Sequence, residues 1–100
     1  MSDDQRPGPQ SDEFVRRVRA WPVSSWRHGD RIAVTRRALD ALAALAAAAR
    51  GADVPAVPPL EAHALADQLV VLIADARAAG VSPSDLDVVL TGLRADLGLC

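Results

Sequence analysis

The chain of 100 residues contains no lysine, no tyrosine and a single cysteine. Cys100 has no second thiol to pair with, so an internal disulfide and a disulfide-stapled scaffold are both excluded. The length corresponds to one folding unit, which excludes a second hydrophobic core. We therefore expect one small domain over residues 11–100, preceded by a disordered, proline-containing leader over residues 1–10.

Long apolar runs are also absent. The longest uncharged and mostly apolar run covers residues 41–49, whereas a membrane-spanning helix needs about 20 such residues. The first ten residues lack the cationic start and apolar run of a secretory signal. These absences predict a cytoplasmic protein that does not contact a membrane.

Residue sets that carry catalysis or bind metals are scarce. The two histidines, His28 and His63, lie thirty-five residues apart with no second ligand at metal-binding spacing. His63 and Asp67 are four residues apart, so they are expected to pair on a helix face. No glycine-rich phosphate loop and no nucleophile elbow is present. We predict no metal and no cofactor, and we favour a non-enzymatic protein over an enzyme.

Half of the chain is apolar, and twenty of these apolar residues are alanines. No stretch of five residues alternates between apolar and polar side chains, so strands are not expected. The apolar residues recur at helical spacing instead. The sequence predicts an all-α fold, a small bundle of three long helices plus a short N-terminal helix, at about 12–21, 31–50, 59–79 and 83–97.

Local signals mark the ends of these helices. Ser11 is expected to cap the first helix, and Asp30 the second. The clearest signal is the run from Ser82 to Asp85, in which a hydroxyl cap precedes a proline at the first helical position. Glycines are expected to end the three long helices, at Gly51, Gly80 and Gly98.

The core is expected along the apolar stripes of the helices. Two stripes on the second helix predict two neighbours for it, and its second half, which is apolar nearly all round, should lie centrally. The connection over residues 51–59, with three prolines, predicts an extended crossing segment. The stripes consist of Phe14, Val18 and Trp21; of Ile32, Leu39, Leu42, Ala46 and Ala49 with Val34, Ala38, Ala41 and Leu45; of Ala62, Leu65, Leu69, Leu72, Ala76 and Ala79, broadened by Val70, Val71 and Ile73; and of Leu86, Val89, Leu90, Leu93 and Leu97.

Charge is distributed unevenly along the chain. Residues 1–50 contain nine arginines and six acids, whereas residues 51–100 contain two arginines and seven acids. The segment from Phe14 to Arg37 holds seven arginines, both tryptophans and only one acid, Asp30. A GC-rich coding genome would explain the preference for arginine over lysine without any function.

This segment carries our hypotheses on function. The first is a regulatory or accessory protein that binds an acidic protein partner, or a second copy of itself in a homodimer. The second is a nucleic-acid-binding protein, since guanidinium groups hold phosphates and indole rings stack on bases. The low isoelectric point, about 5.5, counts against nucleic acid. The candidate partner-binding residues are Arg16, Arg17, Arg19, Trp21, Trp26, Arg27, His28, Asp30, Arg31, Arg36 and Arg37.

A third hypothesis concerns the polar cluster from Trp26 to Arg31, in a predicted loop before a helix. Free amides at a helix start favour anions, so the third hypothesis is a small ligand-binding or enzymatic dimer with a site for a phosphate or carboxylate there. The simpler alternative is structural. In that case Trp26 closes the end of the bundle, and the arginine stems cover apolar surface.

Overall fold

The computed structural model describes the backbone of residues 9–58 and 61–99, and the side chains of residues 13–58 and 61–99. This part of the chain contains α-helices and no strand. The helices are α1 (Pro9–Arg19), α2 (Val23–Trp26), α3 (Arg31–Arg50), α4 (Leu65–Ala78) and α5 (Pro83–Asp96), and a 3-10 turn at Ala62–Ala64 leads into α4. The predicted all-α bundle of three long helices and a short N-terminal helix is confirmed.

The ends of the first two helices differ from expectation. α1 includes Ser11, so Ser11 is not the cap, and Trp21 lies beyond the last helical residue. Of the expected leader, residues 1–8 lie outside the described residues, and Pro9 and Gln10 belong to α1. The segment expected to be a loop contains α2, which begins directly after the extended Pro22. Proline disfavours the helical conformation in the residue before it, which separates α2 from α1.

The starts of the three long helices agree with the prediction to different degrees. Asp30 is the N-cap residue of α3, as predicted, and its carbonyl accepts from Val34 N at 3.0 Å, but its side chain makes no capping hydrogen bond. α4 begins at Leu65 rather than near residue 59, because Glu61 is extended and the 3-10 turn follows it. The Ser82 cap is confirmed, since its Oγ accepts from Asp85 N at 3.2 Å and Pro83 opens the helix.

The expected glycine ends of the long helices are confirmed. Gly51 is left-handed with φ +66°, and the next amide, Ala52 N, donates back to Ala47 O at 2.9 Å. The same bond forms after Gly80 and after Gly98. This geometry satisfies carbonyls that the helix leaves open at its end.

Helix α3 lies at the centre of the bundle. It packs against both α4 and α5, as its two apolar faces predict, and α1 packs against α4. The core combines one aromatic side chain from α1 and one from α2 with leucines from the long helices. Its fully buried large residues are Phe14, Val18, Trp26, Leu39, Leu42, Leu65, Leu69 and Leu97, together with Thr35.

The stripes are correct in their centres and wrong at some edges. Ala49 is exposed, as are Ala44 and Ala48, so the second half of α3 is not buried all round. Val70 and Val71 are also exposed, whereas Ile73 is buried. The reason is geometric, since a helix in a small bundle has neighbours on only part of its circumference. No described helix is long and apolar enough to span a membrane.

Candidate functional site

Two surfaces stand out, the first of which contains the seven arginines between Phe14 and Arg37. We call it the arginine surface. Its members come from the last turns of α1, the residue after α2 and the first two turns of α3. Arg31 is half-buried, whereas Arg16, Arg17, Arg19, Arg27, Arg36 and Arg37 are exposed.

A contact between Trp21 and Arg31 connects the three elements. The guanidinium carbon of Arg31 lies 4.5 Å from the Trp21 ring centroid, and Arg31 Nη1 donates to Ser25 O at 2.9 Å. Trp26 meets Trp21 edge-on at 5.1 Å. Because α-helices rise about 1.5 Å per residue, Arg36 and Arg37 lie within roughly 9 Å of Arg31 along α3. The arginines therefore lie on three segments of the chain that the Trp21–Arg31 contact brings together.

The tryptophans support this end of the molecule from inside. Trp26 is 1% exposed and belongs to the core, and Trp21 is half-buried between Trp26 and Arg31. Base stacking needs an open ring face, and one face of Trp21 is already covered by Arg31. Within the Trp26 to Arg31 segment, Arg27, His28 and Asp30 are exposed, whereas Trp26 is buried in the core.

The ion pairs of His63 and Asp67 differ from the sequence expectation. His63 Nδ1 lies 3.7 Å from Glu61 Oε2, so the expected pair with Asp67 is wrong. Asp67 instead lies 3.4 Å from Arg19 Nε, in an exposed pair that joins α1 to α4. The irregular 3-10 turn explains the change, because it removes the regular α-helical spacing between His63 and Asp67.

The second surface is a cleft of about 560 Å³ between α3, α4 and the segment 52–58, which we call the strap. Small side chains of α3 line the floor of the cleft, and side chains of α4 line one wall. The strap closes one side, held by Gln68 Nε2, which donates to Pro58 O at 3.0 Å, and by half-buried Val57. The lining is mainly apolar and includes Ala43, Ala46, Ala47, Pro55, Val57, Val71 and Leu72.

Charged groups stand around this cleft. Arg50 Nη1 and Nη2 donate to the two carboxylate oxygens of Asp75 at 3.1 and 2.8 Å, and Nη2 also reaches Asp75 O at 3.4 Å. The hydrogen bond from Arg50 lowers the pKa of the Asp75 carboxyl, an effect that desolvation opposes. The same hydrogen bond raises the pKa of Arg50. Asp53 and Asp67 complete the charged lining.

No sequence pattern predicts the cleft directly. Its one signal was the proline-rich connection, which predicted an extended crossing segment but not what it crosses.

The described residues contain no group of three or more histidine, cysteine or acidic side chains that could hold a metal. Cys100 lies outside the described residues.

Comparison with protein families, with curated proteins and with solved structures gives no match. The chemistry of the two surfaces is therefore what bears on function.

Proposed function

We propose that this protein is a non-enzymatic helical interaction protein that uses the arginine surface to bind an acidic surface of a protein partner, as a regulatory or accessory subunit. The observation that carries the proposal is that six exposed arginines lie on three segments that the Trp21–Arg31 contact brings together. Asp30 is the only carboxylate between Phe14 and Arg37. Guanidinium groups form paired hydrogen bonds with carboxylates, so such a surface suits an acidic partner.

The internal contacts indicate that residues of this surface have different roles. Trp21, Trp26 and Arg31 are engaged with one another, so we assign them to holding α1, α2 and α3 in place. The exposed arginines are the contact groups. A protein partner is favoured over nucleic acid because Trp26 is buried and one face of Trp21 is covered by Arg31, and because the chain as a whole is acidic.

The test is copurification from the source lysate with the tagged full chain at low salt. Two double variants each remove two positive charges from the surface, Arg16→Gln with Arg17→Gln, and Arg27→Gln with Arg37→Gln. The matched control, Arg77→Gln with Arg94→Gln, removes the same charge from α4 and α5. We expect wild type and control to recover an acidic protein, and both surface variants to lose it.

Three results would overturn the proposal. The first is recovery of no partner at low salt, and the second is an equal loss of partner in the control variant. The third is a shift of a labelled duplex or single strand in a gel at low ionic strength, abolished by the surface variants, which would assign the surface to nucleic acid. Light scattering separately tests whether the acidic partner is a second copy, since a homodimer would double the mass.

A further inference from the structure

The cleft has the size and lining of a small-molecule site. Its volume of about 560 Å³ falls within the range of roughly 300 to 1,000 Å³ typical of ligand pockets. Ala46 and Ala47 form part of its floor and Leu72 part of a wall. Alanine side chains fill little space, so the strap crosses over them without closing the gap. The apolar floor favours a hydrocarbon or aromatic group over a polar one.

The rim of the cleft adds a negative charge. Three carboxylates, Asp53, Asp67 and Asp75, line it against one guanidinium, Arg50. Asp75 is compensated by Arg50, and Asp67 is partly compensated by Arg19 from outside the cleft. Asp53 makes no ion pair with any other described residue. The uncompensated carboxylate gives the rim a preference for a cation.

We propose that this cleft binds an apolar small molecule that carries a single positive charge, with its apolar part on the alanine floor and its cationic group beside Asp53. The cleft volume matches a small ligand, whereas a stable protein interface would need a far larger surface. This site is separate from the arginine surface, whose exposed arginines do not line the cleft. The two proposals therefore stand or fall independently.

The experiment compares three probes of equal chain length, decylamine, decanol and decanoate, each kept below its micelle concentration. Binding to the full chain is followed by two-dimensional amide NMR. We expect decylamine to shift the amides of Ala47, Val71 and Leu72, and to bind about threefold to fivefold tighter than decanol. Decanoate should bind most weakly, because the rim repels it.

Two pairs of variants separate the charge from the apolar contact. Asp53→Asn should weaken decylamine by about threefold and leave decanol unchanged, whereas Asp87→Asn on the exposed face of α5 should change neither. Val71→Asn should weaken both probes by about threefold or more, since 63%-exposed Val71 lines the cleft. Its control is Val88→Asn, at an exposed valine of α5 that does not line the cleft.

The proposal is wrong if none of the probes shifts the cleft amides, or if decanoate binds as tightly as decylamine. It is also wrong if the wild-type chain doubles its mass with concentration and Val71→Asn abolishes the doubling. In that case the occupant would be a second copy of the chain. Loss of partner capture by the arginine variants, with decylamine binding retained, would leave both proposals standing.

Discussion

Arg50 at the end of α3 donates hydrogen bonds from both terminal guanidinium nitrogens to the Asp75 carboxylate of α4, at 3.1 and 2.8 Å. The pair links positions twenty-five residues apart, across the strap that lies between them in sequence. Both side chains remain about two-fifths exposed, so water and salt screen the attraction. We therefore expect the pair to contribute modestly to the free energy of folding. This contribution should depend on the protonation state of Asp75.

The first prediction concerns Asp75→Asn. Because the folded pKa of Asp75 is lowered below its ordinary value of 3.8, the pair stabilises the fold at pH values above that value. This stabilisation is lost as the pH falls through the folded pKa. We expect the variant to be less stable than wild type at pH 7, and the difference to vanish in acid.

Urea unfolding from pH 7 down to pH 2.5 measures this difference. The control is Asp87→Asn, whose carboxylate makes no ion pair with another described residue. A stability gap for Asp75→Asn that persists unchanged at the lowest pH would show that the carboxylate charge is not its source. Added salt should narrow the gap at pH 7.

The second prediction contrasts two glycines. Gly51 is left-handed at the end of α3, and Gly92 is helical within α5, and a Cβ at either position would meet no atom within 4 Å. Sterics with neighbours are therefore equal, and only the backbone differs. Gly51→Ala should destabilise the fold by about 1 kcal/mol. Gly92→Ala should stabilise it by about 0.5 to 1 kcal/mol.

Denaturant unfolding of the two variants beside wild type gives both values. Opposite signs are required. If both substitutions changed stability in the same direction, the left-handed conformation of Gly51 would not be the controlling factor.

These glycines also show why parts of the fold are predictable from sequence. A glycine after an apolar helical stripe, or a serine before proline, acts on its own few neighbours, so the ends at Gly51 and Ser82 follow from local chemistry. The arginine surface was predictable for the same reason, because its members are close in sequence. The burial of Trp26 was foreseen only as an alternative to a partner-binding role.

The cleft depends on parts of the chain that are distant in sequence, whereas the contacts of Asp30 and His63 depend on irregular local backbone. The cleft exists because the strap lies over α3 and α4, and no periodicity encodes that crossing. Asp30 is the N-cap residue of α3, but its φ and ψ of −105° and 26° lie outside the extended region that is usual for a cap, and its side chain makes no capping hydrogen bond. His63 similarly turns to Glu61, because the 3-10 turn replaces the expected helix.

The third prediction concerns a buried hydroxyl. Thr35 is fully buried in α3, and its Oγ1 has no hydrogen-bond partner among the described residues. A buried polar group without a partner costs free energy, whereas a methyl group of nearly the same shape does not. We expect Thr35→Val to raise the free energy of unfolding by about 1 kcal/mol.

Thermal and urea unfolding test this, with Thr91→Val on the exposed face of α5 as the matched control. The control should stay within about 0.5 kcal/mol of wild type. A destabilised Thr35→Val would mean that the hydroxyl has a favourable partner in solution.

The last prediction separates structure from binding on the arginine surface. Arg31 lies over the Trp21 ring and donates to Ser25 O, so Arg31→Met removes a cation–π contact and a charged hydrogen bond. We expect the free energy of unfolding to fall by about 1 to 2 kcal/mol. Arg37→Met, at an exposed position on the same helix, should change it by less than about 0.5 kcal/mol.

The two tryptophans of the chain both lie in this cluster, so their fluorescence reports its unfolding, and far-ultraviolet circular dichroism reports the helices. In the partner-capture experiment, Arg37→Met should have the larger effect of the two variants. Arg37→Met should weaken binding because its guanidinium is exposed, whereas Arg31→Met should weaken it only in proportion to the fraction of unfolded chain. Equal stability of the two variants would remove the structural role assigned to Arg31, because the contacts with Trp21 and Ser25 would then contribute nothing measurable.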